Sequence, residues 1–179
     1  MTLPSVEVVA SRLKSIVGDQ FVDFSHECRT YHSSTMLPSW YECQVVVHPD
    51  NAHEVVAIVE FANQNSLKIW AFSTGKNWGY GTMQALHNGA IIMVLDRMNR
   101  IIEVNEDLAY AVIEPGVTQV QLNNYLKEND IKLWMDCTDS TPHGSVVGNA
   151  IERGVGYTPY GDHLANCVVL KSSCLMGRK

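Results

Sequence analysis

A chain of 179 residues is long enough to bury a core as one domain, and 46% hydrophobic with 18% charged residues is the balance of a globular protein. A formal net charge of −6, with no stretch that concentrates Lys and Arg, speaks against nucleic acid as the partner. No apolar run approaches the roughly 18 residues of a membrane span, and an N-terminal stretch carrying Glu7 and Asp19 is unlike a secretory leader.

Ser5 is a candidate N-cap for a first helix with Val6, Val9, Ala10, Leu13 and Ile16 on one face, stopped by Gly18. Residues 21–41 hold no clear period and read as a long irregular connection. A short β-branched strand over 44–47 leads into the turn His48-Pro49-Asp50, where His48 and His53 are expected in solvent. A second helix spans about 51–65, with Asn51 and Glu54 spaced as a capping box and Val55, Ile58, Val59 and Ala62 facing a core. Strands follow at 67–72 and 90–95, the latter apolar enough to be buried on both faces. The first half therefore reads β-α-β, loop, β, which is a small parallel sheet covered by helices. Residues 101–104 and 109–113 form a hairpin around Asn105-Glu106-Asp107. Thr118 and Gln121 cap a third helix carrying Val120, Leu122, Tyr125 and Leu126. Residues 137–162 show almost no regular pattern, and 168–170 is a last short strand candidate.

Between two of those strands lies Ser73-Thr74-Gly75-Lys76-Asn77-Trp78-Gly79-Tyr80-Gly81. Closely spaced main-chain N–H groups in such a loop make a concave anion site, and Lys76 adds a mobile positive charge, so the loop reads as a diphosphate cradle or, alternatively, as a plain turn. Neither familiar phosphate motif fits. Lys76 follows the first glycine rather than the second, the glycines run G-x-x-x-G-x-G, and no helical pattern begins after Gly81. The patternless 137–162 stretch holds Gly144, Gly148, Gly154, Gly156 and Gly161 among Val146, Val147, Ile151, Val155, Tyr157 and Tyr160. Those apolar residues are poor choices for a solvated tail, so the stretch reads as a ligand-wrapping loop. Cys28, Cys43, Cys137, Cys167 and Cys174 form no C-x-x-C pair and read as reduced thiols of a cytoplasmic protein. The seven histidines contain no metal-binding pair, so no metal is expected.

Gly75-Lys76-Asn77-Trp78-Gly79-Tyr80-Gly81, Asn99 to Asn105, Glu114-Pro115-Gly116-Val117 and the block from Gly144 to His163 resemble, in order and spacing, the FAD-binding domain of the vanillyl-alcohol oxidase and para-cresol methylhydroxylase flavoproteins. The resemblance covers roughly residues 44–166. It implies a two-lobed α+β fold, a small parallel sheet with helices plus a second antiparallel lobe, with lobes near 1–97 and 98–179. It also implies FAD, with Ser73, Thr74, Gly75, Lys76, Asn77, Trp78 and Gly79 wrapping the diphosphate. Pro115, Ser145, Gly148 and Asn149 would border the diphosphate, ribityl and adenine regions, while Gly154, Tyr157, Gly161, Asp162 and His163 complete the pocket. On the same resemblance Tyr80 would bind a substrate phenol as phenolate, and Asp139 would lie near the flavin N5 edge as its tuner or acid/base.

The family's substrate-binding cap would follow the flavin domain, and this chain stops at Lys179. The expectation is an FAD-binding domain fragment of a 4-alkylphenol-oxidising flavoenzyme that binds FAD non-covalently and is catalytically incomplete alone. The alternatives are the flavin subunit of a split oxidoreductase completed by a partner chain, and a cofactor-free homodimer. The tail from Cys167 onward reads like a family strand and turn when displaced by one nucleotide, so a frameshift is expected to end the reading frame.

Overall fold

The computed structural model describes residues 4–33, 41–76, 83–138, 141–167 and 169. The described residues fall into two compact units. One holds 4–72 and 83–97, and the other holds 73–76 together with those between 98 and 169.

In the first unit, β2 (Cys43–Val47) and β4 (Ala90–Val94) are buried along their whole length and pair in parallel. β3 (Ile69–Phe72) runs parallel on the other side of β4, and β1 (Val22–Asp23) pairs antiparallel with β2, giving the order β1-β2-β4-β3. Because strand side chains alternate between faces, these strands feed two separate cores. Val45, Val47, Ile91 and Met93 pack with Val9 and Leu13 of α1 (Val6–Val17) and with Ile58 and Ala62 of α3 (Ala52–Gln64). Val46, Ala90, Ile92 and Val94 pack with Ala85 and with Cys28 of α2 (His26–Ser33). Apolar layers on both faces explain why the central strands read as unbroken hydrophobic runs.

At α3 the Asn51 half of the capping box is formed, while Glu54 reaches back one residue further, to Asp50. Asn51 Oδ1 accepts from the N–H groups of His53 and Glu54, and Glu54 Oε2 accepts from the Asp50 N–H at 2.8 Å. Ser5 does stand at the N-cap of α1, but its hydroxyl makes no capping bond, and Gly18 closes the helix by donating to the Lys14 carbonyl. The segment 21–41 is less irregular than its sequence implies, since it contains β1 and α2. His48 is half-buried rather than solvated. It directly follows β2, and its Nδ1 lies 2.8 Å from Oδ1 of Asp96, which follows β4. His53 is exposed.

The second unit is built on the antiparallel hairpin of β5 (Ile101–Asn105) and β6 (Tyr110–Ile113), with Asn105 opposite Tyr110. α4 (Gln119–Glu128) follows, and its Thr118 Oγ1 accepts from the Gln121 N–H at 3.2 Å. Val117, Leu122 and Leu126 form the buried centre, with Ile101, Val104, Ile113, Leu133, Met135 and Val146 packed around it. The nominally patternless 137–162 stretch contains a short helix, α5 (Val146–Ile151). Of the strand expected at 168–170, only Val169 lies among the described residues, and it is exposed outside any strand. The remainder of the tail read as frameshifted lies outside the described residues.

Candidate functional site

Residues 73–76 and the block from Ser145 onward belong to the same unit. After β3 the chain bends at Ser73 and Thr74, and Gly75 then adopts φ +64, a left-handed conformation that disfavours residues with a Cβ. Ser73 and Thr74 are half-buried and Lys76 is exposed. Among the described residues, nothing accepts a hydrogen bond from the main-chain N–H groups of Thr74, Gly75 or Lys76.

Ser145 is the hub of the second ribbon. An isolated antiparallel bridge to Thr118 ties it to the start of α4, and its side chain caps α5. Its Oγ donates to the Pro115 carbonyl at 2.6 Å and accepts from the Gly148 N–H at 2.9 Å. The hydroxyl proton is therefore committed to the protein. At Gly148 a Cβ would come within 3.3 Å of both Ser145 and Ser73 Oγ, so the two ribbons touch, and only a residue without a side chain lets them do so comfortably.

Pro115 is held from below. The buried carboxylate of Glu114 accepts from the Arg100 main-chain N–H at 2.8 Å and from its guanidinium at 2.6 and 3.0 Å, while Gly116 donates to the Met98 carbonyl at 2.7 Å. Burial works to raise the Glu114 carboxyl, but the Arg100 hydrogen bonds and charge outweigh it and leave the group below its ordinary range.

The turn from 152 to 163 is closed on itself. The N–H groups of Gly154, Gly156 and Gly161 go to the carbonyls of Asn149, Gly161 and Thr158, and Val155 bridges Asp162. These donors are spent on main chain rather than left for a ligand. The turn's glycines serve close packing instead. A Cβ at Gly154 would collide with the Asn149 amide, one at Gly156 with the Asp136 carboxylate, and one at Gly161 with the Gly156 carbonyl. His163 joins the parts, with Nδ1 2.5 Å from Asn149 Oδ1 and Nε2 3.3 Å from Asp136 Oδ2. Asp162 Oδ1 accepts from the Ala165 N–H. Val155 and Tyr157, read from the sequence as poor choices for solvent, are 65% and 93% exposed.

Asn77, Trp78, Gly79, Tyr80 and Asp139 lie outside the described residues. Asp136, Glu114 and Arg100 are the site-forming residues that sequence reasoning left without a role. Asp136 lies 27 positions from His163, so no local spacing could have signalled the pair. A surface recess of about 460 Å³ runs along α1 and is lined by Glu7, Ser11, Lys14 and Asp19, none of them among the ribbons.

Residues 43–174 match a protein family described as FAD binding domain. The chain belongs to that family. FAD is its cofactor, and the fold is the α+β FAD-binding domain of the p-cresol methylhydroxylase type. The FAD-binding domain is 37% identical over 156 residues to 1'-carboxy-chondrochloren decarboxylase of Chondromyces crocatus, covering 87% of this chain and 29% of that protein. It is 32% identical over 155 residues to the 4-cresol dehydrogenase [hydroxylating] flavoprotein subunit of Pseudomonas putida, covering 85% and 30% respectively. It superposes with a TM-score of 0.81 on 4-ethylphenol oxidase from Gulosibacter chungangensis in its isoeugenol complex, at 33% identity, covering 90% of this chain and 32% of that one. The chain thus spans about 30% of the length of these curated relatives. The donor set fits an anionic dinucleotide, since the Ser73 and Thr74 hydroxyls, main-chain N–H groups without a partner among the described residues and the Lys76 ammonium follow one another along the chain, with Ser73 Oγ beside Gly148. Among the described residues, no helix is long and apolar enough to cross a membrane.

Proposed function

We propose that this FAD-binding domain holds FAD non-covalently, with its diphosphate on the Ser73–Lys76 turn, and that the whole protein oxidises a 4-alkylphenol. The contact between the two ribbons, Ser73 Oγ against Gly148, is the observation that carries the first part. Thr74, Gly75 and Lys76 supply N–H donors and a cation to a group bearing negative charge, as would Asn77, Trp78 and Gly79 further along the loop. Ser145, Pro115 and Asn149 border the cofactor without donating the Ser145 proton to it, because that proton is held by the Pro115 carbonyl. Gly154, Tyr157, Gly161, Asp162 and His163 form the turn that completes the pocket. FAD, when bound, supplies the acceptor for the electrons removed from substrate. The Tyr80 hydroxyl donates to a substrate phenolic oxygen, which favours the phenolate, and Asp139 stands at the flavin edge.

Likeness to a 4-cresol dehydrogenase and a 4-ethylphenol oxidase supports the substrate class. The 179 residues by themselves bind flavin without turning over substrate, a reading supported by their covering about 30% of the relatives. The Pseudomonas relative is called a flavoprotein subunit, which favours a partner chain as the second reading. The free thiols of Cys28, Cys43, Cys137 and Cys167 suit a reducing, cytoplasmic setting.

Titrating the purified chain with FAD tests the core of this reading. The expected result is a yellow complex whose flavin is released by acid. Lys76→Ala should weaken binding by about three- to tenfold, with a difference that shrinks as salt is raised. A chain that stays colourless in excess FAD would remove the reading. So would flavin that resists acid release, as regards the non-covalent bond.

A further inference from the structure

β3 ends at Phe72, and residues 73–82, which begin with the Ser73–Lys76 turn, lie between it and Met83. The buried His32, in the last turn of α2, touches both of these flanking residues. Its ring stacks on Phe72 with centroids 5.9 Å apart and planes inclined by 27°, and its Nδ1 lies 3.3 Å from the Met83 carbonyl oxygen. That oxygen can only accept, so Nδ1 carries the proton, and turning the ring over would set a carbon against the carbonyl. No charge on the ring is needed. Burial, working against the Met83 hydrogen bond, holds the imidazole below its ordinary range, so the neutral ring gives its one N–H to Met83. The neighbours act in the same sense. Tyr31, edge-on to His32 at 5.1 Å, donates from its hydroxyl to Met83 Sδ at 3.8 Å, and the Ser33 carbonyl accepts from Gln84 Nε2 at 3.5 Å. α2 is itself tied to β2, because Ser33 Oγ accepts from the Cys43 N–H and Arg29 Nε donates to the Cys43 carbonyl, both at 3.1 Å. All of these residues belong to the first unit.

We propose that His32 is a positioning residue for the cofactor loop, clasping its two stems by stacking on Phe72 and donating from Nδ1 to the Met83 carbonyl, and thereby raising the affinity for FAD. This rests on the reading that the Ser73–Lys76 turn holds the diphosphate. His32 acts through the stems rather than on the ligand. Stems pinned to one side chain, itself on a helix fixed to the sheet, restrict the shapes open to 73–82 in the FAD-free chain. Less conformational freedom is then lost when the cofactor binds. A ring and a donor are both required, one for each stem, and an imidazole supplies the two together.

The test uses the full chain with His32→Ala, His32→Phe and, as a control, Ile58→Ala. Ile58 is fully buried in the same unit, in the core on the other face of the sheet, so its truncation lowers stability without touching the stems. FAD is titrated at a temperature where all four proteins are folded. His32→Ala should weaken binding about tenfold, while Ile58→Ala should stay within about twofold of the unmodified chain. His32→Phe keeps a ring for Phe72 and loses the donor to Met83, so its affinity should fall between those of the unmodified chain and His32→Ala. A loss in His32→Ala no larger than in the control overturns the clasp, as does a His32→Phe that binds like the unmodified chain. If FAD binds none of the four, the functional reading has failed independently, and two flavin-free readouts decide. Imidazole nitrogen NMR, assigned by the signal lost in His32→Phe, should find a neutral ring protonated on Nδ1 at about pH 7.5, and the Nε2 tautomer overturns the proposal. Trypsin cleavage after Lys76 should accelerate about fivefold more in His32→Ala than in Ile58→Ala, and equal rates overturn it.

Discussion

Ser145 illustrates how a single hydroxyl can shape a site without addressing the ligand. It satisfies one donor at the start of α5 and one carbonyl at Pro115, two elements that sequence separates by 30 positions. Ser145→Ala removes both bonds, and loss of a cap together with a buried hydrogen bond costs about 1–2 kcal/mol. Denaturant unfolding should show this as a lower midpoint with an unchanged slope, and weaker FAD binding should accompany it. Ser145→Thr should recover part of both. Glu114 has a different dependence. Its folded carboxyl is depressed by Arg100 despite the opposing effect of burial, so the pair's contribution is present above the ordinary carboxylate range and is lost as pH falls through the folded value. Most of the Arg100 side chain is in solvent, which limits the contribution to about 1 kcal/mol. Glu114→Gln should therefore flatten the acid limb of the stability curve while leaving stability at pH 5 to 8 only slightly lower. An acid limb identical to that of the unmodified chain would mean that the pair does not contribute in this way.

At the scale of elements, the glycines of the 152–163 turn rank themselves by what each would strike. A Cβ at Gly161 meets main chain, the Gly156 carbonyl, which has no side-chain rotation to relieve it. At Gly154 and Gly156 the obstacle is the Asn149 amide or the Asp136 carboxylate. Gly161→Ala should accordingly cost about 1–3 kcal/mol by overpacking and perturb the whole turn, whereas Gly154→Ala should chiefly displace Asn149 from His163. Thermal melts rank the two, and the order would be reversed if the Gly156 carbonyl could swing away freely. The sequence disclosed these glycines but not their purpose, because close packing and amide exposure leave the same letter. Elements with apolar periodicity, such as α1, α3 and β4, were legible for the reason that they bury one or both faces. α2 was not, since His26–Ser33 is mostly polar and the side it turns inward, with Cys28, His32 and Ser33, carries little apolar signal. A start signal existed there: Asp23 Oδ1 accepts from the Ser25 N–H, Ser25 Oγ accepts from the Cys28 N–H, and Glu27 stands in the first turn. α5 is under two turns long and contains Gly148 and Asn149, so neither length nor propensity announced it beyond its Ser145 cap.

For the molecule as a whole, cofactor and core are linked by mass action. All the described candidate flavin-binding residues belong to the unit centred on Val117, Leu122 and Leu126. Truncating one of these, as in Leu122→Ala, leaves a cavity among residues that are 0–6% exposed and should cost about 3 kcal/mol. A ligand that binds only the folded state at a hundredfold excess over its dissociation constant returns about 2.7 kcal/mol. FAD should therefore restore most of the melting temperature that Leu122→Ala loses, whereas adenosine, which lacks the diphosphate proposed to sit on the Ser73–Lys76 turn, should restore little at the same concentration. Rescue by FAD that persists in a Leu122→Ala, Lys76→Ala double variant at low salt would mean that the cation on the turn adds nothing, and that the anion is held by the amides of Thr74 and Gly75 alone. Loss of rescue in that variant, with recovery at higher FAD, assigns the difference to affinity rather than to folding.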